Sequence, residues 1–188
     1  MRYYIGFLLA IGLVIILILL LFAGGGKSHK TKKLAPPKPL TLSSLATTDA
    51  AVSVTIDGPI NAVSLHEAIQ ITVSSFEANI EEFSGYDHTV VNSESFANNQ
   101  SAYFAFLSAL SIANFTAGNK SAALSNDTGR CPTGTRYDYR ITQDGQSLEH
   151  FWSTSCGTAT FLGRINLTNQ LFRAQIPSYS KFTRGINL

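Results

Sequence analysis

Residues 5–23, IGFLLAIGLVIILILLLFA, run nineteen positions without a charge or a proline. As an α-helix rising about 1.5 Å per residue, such a run spans roughly 28 Å, close to the hydrocarbon thickness of a bilayer. Helix is forced inside lipid, because every backbone polar group must find an internal partner there. Tyr3 and Tyr4 fall where aromatic rings favour the membrane interface. The run predicts a transmembrane anchor over residues 1–23, with the lipid bilayer as partner through residues 5–23. A cleaved signal peptide competes with this reading, since Ala23, Gly24 and Gly25 are small enough for processing. The apolar stretch of signal peptides is typically about 7–15 residues, so the greater length here favours retention.

Residues 24–44 read as a linker, with three consecutive glycines, five lysines and the run Pro36-Pro37-Lys38-Pro39. Glycine gives flexibility and proline extension, a combination that holds a domain off the bilayer. Direction is contested. The lysines just after the apolar run argue for a cytoplasmic domain by the positive-inside rule. The pair Cys131 and Cys156, in a domain poor in lysine, argues for an oxidising compartment. The cysteines favour a domain outside the cytoplasm, at residues 45–188. An apolar amino-terminal helix with a later cysteine pair is also similar to the plan of type IV pilins. Gly6-Phe7 matches the junction of their processing motif, but Ile11 stands where that motif has glutamate. The Gly/Pro linker also breaks the helix that pilins continue into their heads.

Charge is unevenly placed in the folded part. Residues 41–119 hold eight acids and no Lys or Arg, and residues 120–188 hold eight bases and four acids, a net −4. The simplest expectation is that the two halves pack together and neutralise each other. No dense basic cluster lies on the domain, which excludes a nucleic-acid footprint.

The domain reads as α+β, with an antiparallel sheet of about four strands and two helices. AVSVTID at 51–57 and AIQITVS at 68–74 alternate as strands. Residues 76–83 either prolong the second or form a short helix. Residues 98–113 predict a helix capped by Asn98 or Asn99, with Tyr103, Phe106, Leu107 and Leu110 on one face. Having no charge, this helix is expected to pack on more than one side. Residues 165–175 predict a second helix stopped by Pro177, followed by a polar, basic tail.

Asp144-Gly145 is a strong hairpin turn, since both positions tolerate positive φ. Centred there, the pairing sets Ile141 opposite Leu148, Tyr139 opposite His150 and Tyr137 opposite Trp152 on an inner face. The outer face then pairs Arg140 with Glu149 and Arg136 with Ser153, and leaves Phe151 exposed opposite Asp138. Arg136, Arg140 and Phe151 form the one candidate interaction surface, because arginine and aromatic side chains dominate binding hot spots. The same register makes Cys131 and Cys156 diagonal neighbours at the open end of the hairpin and predicts a disulfide between them.

Other chemistry leaves little trace. His66, His88 and His150 have no second ligand at zinc spacing, and His150 reads as a core-edge residue near Tyr139. No phosphate loop or G-x-S-x-G elbow occurs. The sequence therefore predicts no catalytic, metal or cofactor residue.

The segments CPTGTRYDY, FWSTSCGTATF and LFRAQIPSY resemble those of uncharacterised single-pass membrane-anchored proteins of Saccharibacteria-type candidate-phyla bacteria. The resemblance runs over roughly residues 52–179 and implies a membrane-anchored protein of a host-attached bacterium with an unusual envelope, with no functional residue attached. Together these readings predict a membrane-tethered cell-envelope protein, a non-enzymatic accessory or interaction module with an envelope protein partner. The alternatives are a minor pilin-like or secretion-apparatus component and an envelope hydrolase.

Overall fold

The computed structural model describes residues 41–121 and 124–188. The anchor at 5–23 and the linker up to residue 40 lie outside the described residues. Among the described residues, no helix is long and apolar enough to cross a membrane.

Six strands form one antiparallel sheet in the order β4-β3-β2-β1-β5-β6. They are β1 (Ala51–Asp57), β2 (Glu67–Val73), β3 (Glu77–Ser84), β4 (Thr89–Ala97), β5 (Arg136–Gln143) and β6 (Gln146–Thr154). The sheet is larger than the four strands predicted, because residues 77–97 form a complete hairpin of their own. Its β4 strand lies at the sheet edge and is mostly exposed, so it needs no apolar alternation and shows none.

Alternation sets the inner face of the sheet. Val52, Val54 and Ile56 of β1 stand opposite Val73, Ile71 and Ile69 of β2, and opposite Ile141, Tyr139 and Tyr137 of β5. Helix α1 (Gln100–Ile112) covers this face with Tyr103, Phe106, Leu107 and Leu110, all buried. The Asn99 side chain caps it by accepting from the Ala102 N–H at 2.9 Å. Its far side is open, with Phe104 and Ile112 exposed, so the helix packs on one side although it has no charge. Helix α2 (Ile165–Arg173) adds Phe172, which meets Phe106 and Phe115 edge-on or tilted. The tail is no loose end: α3 (Tyr179–Phe182) buries Phe182, and the Asn187 N–H donates to Glu67. A 3-10 turn at Leu42–Thr47 buries Leu42 and Leu45, so the fold takes in residues that the sequence assigned to the linker.

Two phenols deep in this core are satisfied. The Tyr103 hydroxyl donates to the Ala50 carbonyl at 2.9 Å, and the Tyr139 hydroxyl donates to Asn169 Oδ1 at 3.0 Å. Burial pushes both well above the usual tyrosine value, so both remain neutral donors.

The Asp144-Gly145 turn is present, with φ of 51° and 72°, the signature of a two-residue hairpin turn. The register beyond it differs from the sequence expectation by one residue. Thr142 pairs with Ser147, but Ile141 pairs with Glu149, so Leu148 is the extra residue of a β-bulge. A one-residue slip exchanges the faces of a strand. Phe151 therefore sits inside, opposite Tyr139, and Trp152 sits on the outer face, opposite Asp138.

Cys131 and Cys156 form the expected disulfide, with Cα atoms 5.7 Å apart. The chain-entropy model gives about 3.5 kcal/mol for closing a loop of this size. Here the strand ends are also held by Ser155 N–H donating to the Thr135 carbonyl at 2.9 Å and Thr135 N–H donating to Ser155 Oγ at 3.0 Å. We therefore expect Cys131→Ser to cost about 2 kcal/mol and to lower Tm by about 4–8 °C in a thermal melt. A fall under about 2 °C would mean that the bridge restrains nothing the hairpin does not already hold.

Candidate functional site

The helices pack on the inner face, and the outer face is largely polar, with Ala68, Phe83 and Trp152 among its apolar residues. Across β1 and β5 this face pairs Ser53 with Arg140, Thr55 with Asp138, and Asp57 with Arg136. The two charge-polarised halves pack together, but Asp57–Arg136 is the one Lys/Arg ion pair that joins them among the described residues. Their strands lie at opposite ends of the sheet and meet at the β1–β5 seam, while α2 and the tail of the second half pack back onto the first. Of the eight acids before residue 120, Asp57 alone has a Lys or Arg ion-pair partner among the described residues.

Asp57 is the centre of that seam. Arg136 Nε donates to Asp57 Oδ2 at 3.0 Å, and Nη2 contacts the same oxygen. On the other side, His66 Nε2 lies 2.7 Å from Asp57 Oδ1, and His66 Nδ1 lies 3.1 Å from the Pro59 carbonyl. The Tyr86 ring stacks on the His66 imidazole, with centroids 3.9 Å apart and planes 14° from parallel. Tyr86 is held in place by its hydroxyl, which donates to the Asn61 carbonyl and accepts from the Asn61 N–H. Arg136 is only 6% exposed, yet its Nη1 has no partner among the described residues.

Asp138 forms a second charged group one pleat along. Arg140 Nε donates to its Oδ1 at 2.6 Å, and His150 Nε2 lies 2.5 Å from its Oδ2. Burial alone would raise the Asp138 pKa, but the hydrogen bonds from His150 and Arg140 outweigh it and hold the carboxyl below its ordinary value. A carboxyl with a depressed folded pKa adds stability above its unfolded pKa, and that stability is lost as pH falls through the folded value. Acid titration from neutral pH to below the ordinary value of 3.8 should therefore weaken the fold. Asp138→Asn should flatten that acid dependence, and only modestly because Arg140 is half exposed. Denaturation midpoints at several pH values check this. An unchanged pH profile in the variant would contradict it.

The loop after α1 covers one end of this face. Trp152 Nε1 donates to the Leu124 carbonyl at 2.8 Å, and the Arg130 guanidinium lies 5.9 Å from the Trp152 ring. Between loop and sheet are two hollows of about 180 and 190 Å³ that share Asp57, Asp127 and Arg136. The first extends to Asp138 and Arg140, and the second to Tyr86.

The three residues selected from the sequence do not form one surface. Arg140 is exposed on the outer face and Arg136 is buried beneath it, facing the same crevice. Phe151 is 2% exposed on the opposite face and is corrected to a core residue, because the bulge at Leu148 turns it inward. His150 is likewise moved from the core edge to the outer face, on Asp138. Asp57, Tyr86, Asp127 and Asp138 were not singled out from the sequence. The alternation of charge with aromatics in Arg136-Tyr137-Asp138-Tyr139-Arg140 was the available signal for Asp138. Among the described residues, no group of three His, Cys, Asp or Glu is placed to hold a metal ion.

Compared with known proteins, the chain matches no family model and no curated protein. Fold and site geometry therefore carry the functional argument.

Proposed function

We propose that this chain is a membrane-tethered module of the cell envelope that works by binding, through the outer face of its sheet. The observation that carries the reading is the helix-free, largely polar outer face with a half-walled crevice, on a domain closed by a disulfide. Disulfides persist in oxidising compartments, which supports a position outside the cytoplasm. The apolar run at 5–23 supplies the anchor, and the Gly/Lys/Pro linker supplies the reach. Envelope location also agrees with the resemblance to candidate-phyla membrane proteins.

A photo-reactive residue at position 140 of the full chain, in intact cells, is expected to give a discrete covalent adduct. One at exposed position 104, on the helical side, is expected to give none. Equal adducts from both positions, or none from 140, would contradict binding through this face.

One observation favours an envelope hydrolase as a second reading. His150 is oriented by Asp138 and lines a hollow of about 320 Å³ with Ser121 and Ser147, and an imidazole held by a carboxylate is the base that activates a hydroxyl nucleophile. His66 is unsuited to that role, since both ring nitrogens are engaged by Asp57 and Pro59. Covalent labelling by a fluorophosphonate that His150→Ala abolishes would make the chain an enzyme. The binding reading expects no such labelling.

A further inference from the structure

We infer that the crevice over Asp57, Asp127 and Arg136 is a binding site for a neutral sugar unit of an envelope glycan. This rests on the binding reading above and names the ligand class of the same face.

Three carboxylates, Asp57, Asp127 and Asp138, and two guanidiniums, Arg136 and Arg140, line the two hollows. A simple anion meets three carboxylates there, and a simple cation meets two guanidiniums. Neither is favoured by a crevice of mixed sign. A sugar carries no charge, and each of its hydroxyls both donates and accepts. It is served by carboxylate acceptors beside guanidinium donors.

One donor is already waiting. Arg136 lines both hollows, and its Nη1 is buried with no acceptor among the described residues. A buried donor without a partner is costly, so an oxygen placed there is strongly held. Asp57 holds the same guanidinium through Nε and Nη2, so its position is set before any ligand arrives.

The second hollow supplies the apolar contact a pyranose needs. Tyr86 is 42% exposed although one of its faces is stacked on His66. Its hydroxyl is fixed on both sides by Asn61. The electron-rich face of an aromatic ring attracts the positively polarised C–H groups of a sugar. Donor, acceptors and platform thus share one crevice, whose two hollows each match a single sugar ring better than an extended peptide.

The test uses the full chain in nanodiscs and saturation-transfer difference NMR. The probes are cellotriose, maltotriose and triacetylchitotriose, with D-alanine as a zwitterionic comparator. At least one trisaccharide should show saturable transfer. Asp127→Asn, which removes a carboxylate with no ion-pair partner among the described residues, should weaken its affinity about ten-fold, as should Tyr86→Ala. Phe104→Ala on the helical side should change nothing. Silence from all three trisaccharides overturns the proposal. So does transfer that Asp127→Asn and Tyr86→Ala both leave intact, or saturable transfer to D-alanine alone. Failure here, with a discrete adduct still formed from position 140, removes the sugar and keeps the binding face. Loss of both removes the binding reading itself.

Discussion

Phe151→Ala is expected to cost about 3–5 kcal/mol of folding free energy, the range for truncating an aromatic ring in a packed core. Phe151 is 2% exposed and pairs with Tyr139 on the inner face. The Gly118 backbone lies against its ring, so closely that any side chain at position 118 would collide with it. Gly118 has no side chain to move into the space, so much of the cavity should persist. Urea denaturation of the wild type and the variant measures the difference. The result also decides the register of the β5–β6 hairpin. In the regular register read from the sequence, Phe151 faces solvent and its truncation costs less than about 1 kcal/mol.

Arg136→Met is expected to cost about 3 kcal/mol, although methionine fills much of the same volume. Arg136 and Asp57 face each other across β1 and β5 with 7% and 23% of their side chains exposed. Removing the guanidinium leaves Asp57 partly desolvated, with His66 as its remaining partner. The loss comes from the stranded carboxylate, so removing that charge as well should recover part of it. The double variant Asp57→Asn/Arg136→Met should be more stable than the sum of the single effects by at least about 1 kcal/mol. Strict additivity in denaturant titrations would mean that the pair contributes nothing as a pair.

What could be read from the sequence was what local pattern determines. The strands β1 and β2 alternate cleanly, Asn99 caps α1, and Asp144-Gly145 turns the hairpin that brings Cys131 to Cys156. Failures came where a neighbour in space overrides the pattern. The β4 strand is an edge, so its residues answer to solvent rather than to a core. The bulge at Leu148 adds one residue and inverts the faces of β6, which moved Phe151 from the candidate surface into the core. The site was the least legible part. Asp57 and Arg136 are 79 residues apart, and they meet because β5 adds beside β1 after the chain has passed through β2, β3, β4 and α1. No spacing in the sequence encodes that strand order. The charge asymmetry between the halves was visible; the halves do pack together, but the expected neutralisation comes down to the single pair Asp57–Arg136 among the described residues.

The central proposal places this domain outside the cytoplasm on a membrane anchor, and thiol accessibility tests it most directly. The chain has two cysteines, both in the one disulfide, so any thiol label on it reports the domain alone. Cys156 is exposed and Cys131 is buried, so Cys156 is the reachable sulfur once the bridge is opened. Intact cells treated with a membrane-impermeant reductant and then an impermeant maleimide should label the chain without lysis, and should leave it unlabelled when the reductant is omitted. Labelling that appears only after lysis would put the domain on the cytoplasmic side and contradict the account.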